Sequence, residues 1–184
     1  MTKKILVVLA DGFEEIEALG AVDVLRRLQL DVVTASLNGK NPVSGAHRIL
    51  VDADRIFADC AKEDFDAVLL PGGMPGAENL RQSAALRDFL QTMARQGKIV
   101  AAICAAPMVL ANAGLLNGKR FTMYPGFEAF LHGLTYTSRA AERDGNIVTG
   151  RGPGALFDFC REIAAALGCG EKIPALYEGM FVQK

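Results

Sequence analysis

The sequence predicts an α/β domain with a mostly parallel central sheet and helices on both faces. Three observations carry this. Short apolar runs alternate with stretches of helical periodicity along the chain. No linker, repeat or low-complexity segment separates them, so residues 1–184 read as a single domain with an ample core. The unusual residues gather where the apolar runs end, and in open α/β sheets sites form outside the carboxyl ends of the strands.

The elements follow in order. Ile5–Leu9 is a buried strand. Glu14–Leu28 is a helix whose apolar stripe is Ala18, Ala21, Val22, Leu25 and Leu28. Asp31–Ser36 is a second strand, and Asn38–Pro42 is a turn. Ile49–Val51 reads as an edge strand and Asp66–Leu70 as a third buried strand. Ser83 caps a helix with Leu86, Phe89, Leu90 and Met93 on one face, closed by Gly97. Ile99–Ile103 is a buried strand with a helix-competent stretch after it. Phe121–Met123 is a short strand. Asp144-Gly145 is a hairpin turn leading into a strand at Asn146–Thr149. Gly154–Leu167 is a helix with Leu156, Phe159, Cys160, Ile163 and Leu167 inward, closed by Gly168.

Composition narrows the partners. Hydrophobic residues make up 51% of the chain and charged residues 22%, the mixture of a globular protein. Net charge is −1 without a long basic run, which argues against nucleic acid and anionic membranes as main partners. Ile5–Ala10 is too short for a signal peptide, and acidic residues follow it. Ile99–Leu116 imitates a membrane span, but Pro107 and Asn112 interrupt it, so strand-then-helix is the better reading. The four cysteines, Cys60, Cys104, Cys160 and Cys169, show no metal or CxxC spacing. Reduced thiols in the cytoplasm are the expectation.

Cys104 is the most informative residue. It ends an apolar run at a strand-to-helix turn, where free N–H groups and the helix dipole favour a negative charge. A thiol there is expected to ionise easily and act as a nucleophile. The turn is similar to a nucleophile elbow without its flanking glycines. Free cysteine is also often a small buried apolar side chain. Glu17 lies in the first turn of the first helix, at the same sheet edge. A carboxyl buried beside a thiol keeps its proton and can donate to the thiolate. Spacing alone leaves Glu15 and Glu17 open to a second reading, as solvated first-turn acids like Glu14. Gly72 and Gly73 let backbone N–H groups approach a reacting oxygen, or form an ordinary turn. Arg151 could bind a carboxylate, carry an interface or lie on the surface. His47 and His132 read as surface or loop residues, with His47 placed to reach the site from its turn. No Ser–His–Asp triad, metal set or nucleotide fingerprint is visible, so neither metal nor cofactor is expected.

Five segments, taken in order, carry a family resemblance. They are Ala10–Glu17, Val22–Arg27, Val68–Gly73, Ala101–Pro107 and Arg151–Gly154. Together they resemble the ThiJ/PfpI superfamily, in the branch of the Parkinson-associated redox protein and deglycase ("DJ-one") and its bacterial YajL-like relatives. The resemblance implies a flavodoxin-like three-layer sandwich and a homodimer. It implies that Cys104 is the oxidisable nucleophile and Glu17 the protonated acid contacting it. Gly73 and the Ala105 backbone match the amides around the pocket, and Arg27 a pocket-rim arginine near the dimer interface. Two positions depart from the pattern. Many members carry a histidine before the proline where this chain has Tyr124, and a phenol ionising near pH ~10 is a poor base at neutral pH. The peptidase branch carries a histidine where this chain has Ala105, which speaks against proteolysis.

Two functions are therefore expected to compete. One is cofactor-independent chemistry on reactive dicarbonyls or glycation adducts, of the glyoxalase III or deglycase type, with a small carbonyl compound or glycated protein as partner. Cys104 would be the nucleophile, with Glu17 and Tyr124 in catalytic roles and Gly72, Gly73, Ala105, Arg27 and His47 around the substrate. The other is a redox-sensing stress protein or chaperone whose oxidisable group is Cys104.

Overall fold

The computed structural model describes residues 2–183. Seven strands form one sheet. They are β1 (Lys4–Leu9), β2 (Asp31–Ser36), β5 (Arg55–Ile56), β6 (Ala67–Leu70), β7 (Ile99–Ile103), β8 (Ala141–Asp144) and β9 (Ile147–Gly150), in the order β5-β2-β1-β6-β7-β9-β8. All neighbours are parallel except β8 and β9, which form a hairpin at one edge. β3 (Val43–Ser44) and β4 (Leu50–Val51) pair as a separate two-stranded ribbon.

The alternation of side chains along β1 divides the core. Ile5, Val7 and Leu9 face one cluster, and Leu6, Val8 and Ala10 the other. The first is covered by α1 (Glu15–Arg27), α6 (Leu156–Ala166) and α7 (Ile173–Gly179). The second is covered by α2 (Phe57–Cys60), α3 (Gly76–Gln82), α4 (Ala84–Arg95) and α5 (Pro107–Asn112). This is the expected flavodoxin-like sandwich. The stripe read on α4 is the buried one: Leu86, Phe89, Leu90 and Met93, with the Ser83 hydroxyl accepting the Leu86 N–H at 3.2 Å. The apolar positions expected on α1 are likewise buried.

Several elements differ from expectation. Ile49–Val51 does not edge the main sheet, because β4 finds its partner in β3 instead. Phe121–Met123 forms no strand, only an isolated bridge from Thr122 to Thr137. The apolar stretch after Cys104 is not continuous helix from the thiol. Residues 104–106 are a turn, and α5 opens at Pro107, whose fixed φ suits a first helical position. The last long helix begins two residues late, after a 3₁₀ turn at Pro153–Ala155. Among the described residues no helix is long and apolar enough to cross a membrane, and Ile99–Leu116 divides into strand, turn and helix.

Candidate active site

The carboxyl ends of β1, β6, β7 and β9 lie side by side, and the loops leaving them meet around Cys104. The Cys104 N–H donates to the carbonyl of Gly150, the last residue of β9, and its own carbonyl accepts the Tyr124 N–H, both at 2.9 Å. Glu14 N–H, after β1, donates to Gly72 O, after β6, at 2.9 Å. Five chain segments are thus tied by their backbones, three around Cys104 and two between Glu14 and Gly72, before any side chain contributes.

Cys104 has φ +63°, the left-handed region that a residue with a Cβ seldom enters. The conformation turns the chain out of β7 and presents the sulfur at the sheet edge, as in a nucleophile elbow. The side chain is partly buried, and the Gly73 and Ala105 N–H groups donate to it. These two amides, rather than a long helix, supply the local positive field, since α5 has only six residues. The thiol is not lowered in pKa as its position in the sequence suggested. Burial pushes it up, the Glu17 charge and hydrogen bond push it further, and the two amides only partly oppose this.

Glu17 is fully buried in the first turn of α1. One carboxyl oxygen accepts the Gly72 N–H at 2.8 Å and the side chain is hydrogen-bonded to Cys104, while Oε1 is buried without a partner among the described residues. Burial raises its pKa from 4.5 to about 7, against the pull of the Cys104 and Gly72 hydrogen bonds. Two buried acids this close titrate as a unit. The carboxyl gives up its proton near pH 7, while the thiol, pushed up by burial and by that charge, keeps its own.

The folded protein holds the Glu17 proton more tightly than the unfolded chain, so stability falls as pH rises from 4.5 to about 7. The loss amounts to about 3 kcal/mol at most. Glu17→Gln has no such proton to lose. Its Tm is expected to rise above the parent's at pH 8 and to lose that advantage near pH 4.5. A Tm difference that stays constant across paired melts would contradict this.

Gly72 is where the site needs a glycine. A Cβ there would stand 2.7 Å from Cys104 Cβ, 2.7 Å from Glu17 Oε2 and 2.9 Å from Ile103 O. Gly73 adopts φ +86°, and its Cβ would meet Glu14 N at 2.4 Å. Gly72→Ala must therefore push the acid and the thiol apart. It is expected to destabilise the protein by about 1–3 kcal/mol and to slow alkylation of Cys104. Denaturant melts and a labelling rate check both, and parental values in the two assays would refute the close-approach account.

The rim is built from the loop before α1 and the β3–β4 ribbon. Glu14 caps α1, its carboxylate accepting the Glu17 N–H at 2.7 Å. This assigns it a positioning role that its sequence context left as that of a solvated acid. Glu15 is buried and accepts both the His47 backbone N–H at 2.6 Å and Nδ1 at 2.7 Å. Burial alone would push Glu15 up; the His47 bonds outweigh it and hold the carboxyl below its ordinary value. The same contact raises His47, whose side chain is otherwise exposed. His47 thus reaches the rim through Glu15. Glu14, Glu15 and His47 carry ligand-type atoms within 4.8 Å of one another, a grouping the loop creates and sequence spacing did not show. The hydrogen bonds just described already occupy Glu15 and engage Glu14.

Two residues are placed differently from expectation. Tyr124 is tied to Cys104 by its backbone, yet its side chain is 49% exposed and makes no hydrogen bond to Cys104 or Glu17 among the described residues. Its ring lies over Gly152, where a Cβ would meet Tyr124 Cδ2 at 3.3 Å. Arg27 lies ten residues along α1 from Glu17, about 15 Å at helical rise, and is paired with Asp23 at 2.9 Å on the exposed face. Within one chain it does not reach the thiol.

A parallel α/β sandwich that presents a strained cysteine at an elbow, with a buried acid against the sulfur, defines a flavodoxin-like thiol protein. The chain belongs to the DJ-1/PfpI family, whose model matches residues 3–166. It is similar to protein dj-1beta of Drosophila melanogaster, at 39% identity over 99% of this chain and 98% of that protein. The crystal structure of Drosophila melanogaster DJ-1beta superimposes with a TM-score of 0.95 at 38% identity, covering 100% of both chains. Deglycase PfpI of Pyrococcus furiosus is 33% identical over 89% of this chain and 99% of its own. The structure of oxidized DJ-1 from Toxoplasma gondii, at 35% identity, matches with a TM-score of 0.94 over 100% of both chains.

Proposed function

We propose that the protein is a cofactor-independent, cysteine-dependent enzyme acting on reactive dicarbonyls or on glycation adducts. The observation that carries this is the Cys104–Glu17 pair, a partly buried thiol with a fully buried acid beside it at the mouth of the sheet. The name of the Pyrococcus furiosus relative, a deglycase, supports the same reading. For methylglyoxal, the Cys104 sulfur bonds to the aldehyde carbon while Glu17 takes the thiol proton and passes it to the carbonyl oxygen, giving a hemithioacetal. Glu17 then moves the C1 proton to C2 while the C1 hydroxyl proton passes to the C2 oxygen, and the carbons exchange oxidation level to leave a thioester of the 2-hydroxy acid. Water cleaves the thioester, releasing lactate and restoring the thiol. Every electron stays within the substrate, so the chemistry requires neither nicotinamide nor metal. The test is lactate formation from methylglyoxal by the reduced protein without glutathione. Lactate above background supports the reading, and none sinks it for this substrate.

The position of Tyr124 favours a second reading. Its exposed side chain leaves Cys104 and Glu17 without an imidazole beside them. A thiol cradled by two amides would then serve as a peroxide sensor: the O–O bond breaks, one oxygen passes to sulfur to give a sulfenic acid, and the other leaves as water. The Toxoplasma relative was solved oxidized. Peroxide-treated protein analysed by mass spectrometry distinguishes the two. Selective oxidation of Cys104 supports a sensor, and equal oxidation of all four cysteines counts against it.

A homodimer belongs to the same proposal. Ile16, Ile49 and Leu50 are exposed apolar residues around the α1 entrance and the β3–β4 ribbon, a patch suited to a second copy. Leu50→Asp is expected to shift sedimentation from dimer to monomer. A monomeric parent would remove the proposal.

A further inference from the structure

A cleft of about 490 Å³ opens beside Tyr124, with Ser138, Ala140 and Arg151 on its walls and the Gly152–Ala155 backbone beneath. Its position follows from the sheet. Gly150 stands opposite Ile103 in the β7–β9 ladder and accepts the Cys104 N–H. A Cβ on Gly150 would point at Ile103 and Phe159, toward α6. By strand alternation Arg151 leaves on the other side, where Tyr124 is bonded to the Cys104 carbonyl. The cleft thus begins at Arg151, one residue past the Gly150 that accepts the Cys104 N–H, and at Tyr124, whose N–H donates to the Cys104 carbonyl.

Among the lining residues Arg151 carries the only charge. It is half-buried, and one N–H donates to the Ser138 carbonyl, which holds the side chain across the cleft. No carboxylate pairs with it among the described residues. The nearby Glu128 carboxylate is occupied by the Gly126 N–H at 3.1 Å and the Tyr136 hydroxyl at 2.5 Å. A guanidinium tethered through one N–H still presents the rest of its planar fork, the geometry that suits carboxylate and phosphate oxygens.

We propose that this cleft is an anion subsite, in which Arg151 holds a carboxylate or phosphate group of the substrate whose carbonyl reacts at Cys104. The proposal rests on the carbonyl reading above and narrows its substrate class to dicarbonyls or glycated residues bearing a negative group. Its test does not use turnover. Cys104 is alkylated with neutral N-ethylmaleimide and with anionic 3-maleimidopropionate, and single addition is followed by intact-mass spectrometry. The other cysteines are buried, so this addition reports Cys104. Arg151→Met is expected to lower the anionic-to-neutral rate ratio by about fivefold, the scale of a partly exposed charge contact. Arg151→Lys should keep part of the preference. The same ratio in Arg151→Met as in the parent would overturn the proposal. A drop in the N-ethylmaleimide rate would mark a disturbed fold, and competition in the unmutated protein then decides. Acetate or inorganic phosphate should slow the anionic reagent alone, the stronger competitor naming the preferred group. Competition with neither reagent would also overturn the proposal. A protein that forms no lactate can still pass this test, so the two failures are distinguishable.

Discussion

Cys104→Ala is expected to reduce lactate formation from methylglyoxal to background, a loss of about 10³-fold or more. No other thiol can take its place. Cys60, Cys160 and Cys169 are buried in the packed layers on either side of the sheet, away from the loops that form the site. The substitution leaves the backbone ties through Gly150 and Tyr124 intact, since both use Cys104 main-chain atoms. The fold should therefore survive, and a thermal melt beside the lactate assay separates lost chemistry from lost structure. Full activity in a folded Cys104→Ala protein would remove Cys104 as nucleophile.

Glu17→Gln is expected to lower the same activity by about 100-fold or more, the usual contribution of a positioned acid–base group. The amide carbonyl can still accept the Gly72 N–H, so the loop is retained. What disappears is the group that takes the thiol proton and later carries a proton between substrate carbons. The parent's activity should rise with pH through about 7, as the pair loses its first proton. The variant should lack that rise. Because the buried acid destabilises the folded state above its pKa, this variant should be less active and more stable at pH 8. Such an exchange is common where a site holds an unfavourable group. Equal kcat/KM for the two proteins would place Glu17 outside the chemistry.

The layers and the convergence at the strand ends were legible because buried parallel strands and amphipathic helices leave strong periodic signals. β1, β2, β6, β7, α1 and α4 carry them clearly. β8 was not legible, since Ala141-Glu142-Arg143-Asp144 is polar and reads as a loop until β9 pairs with it. The short α2, α3 and α7 give too few turns for a period to emerge. At the site, Cys104 stood out through its place at the end of an apolar run, and Glu17 through its place in the first turn. The pull of the helix dipole on the thiol was overestimated, because sequence shows neither the depth of burial nor the acid brought against the sulfur. Gly72 was seen as an N–H donor toward a reacting oxygen. Its N–H in fact holds Glu17, and its missing Cβ leaves room for the acid and thiol to meet. Glu15 and His47 are 32 residues apart and meet only because the β3–β4 ribbon folds back on α1. Arg27 was placed at a pocket rim near the dimer interface by resemblance; within one chain it pairs with Asp23 on the exposed face of α1.

Cys104 and Glu17 titrate as a coupled pair, with Glu17 governing how readily the thiol reacts. The most direct test is the alkylation rate of Cys104 as a function of pH, measured with a neutral reagent on the parent and on Glu17→Gln. The parent rate is expected to rise through an inflection near pH 7, set by Glu17. In Glu17→Gln that inflection should vanish, and the thiol's own ionisation should begin at lower pH than in the parent, because the Glu17 charge no longer adds to the burial that holds the thiol up. Superimposable profiles for the two proteins would contradict the claim and leave Cys104 an ordinary buried thiol.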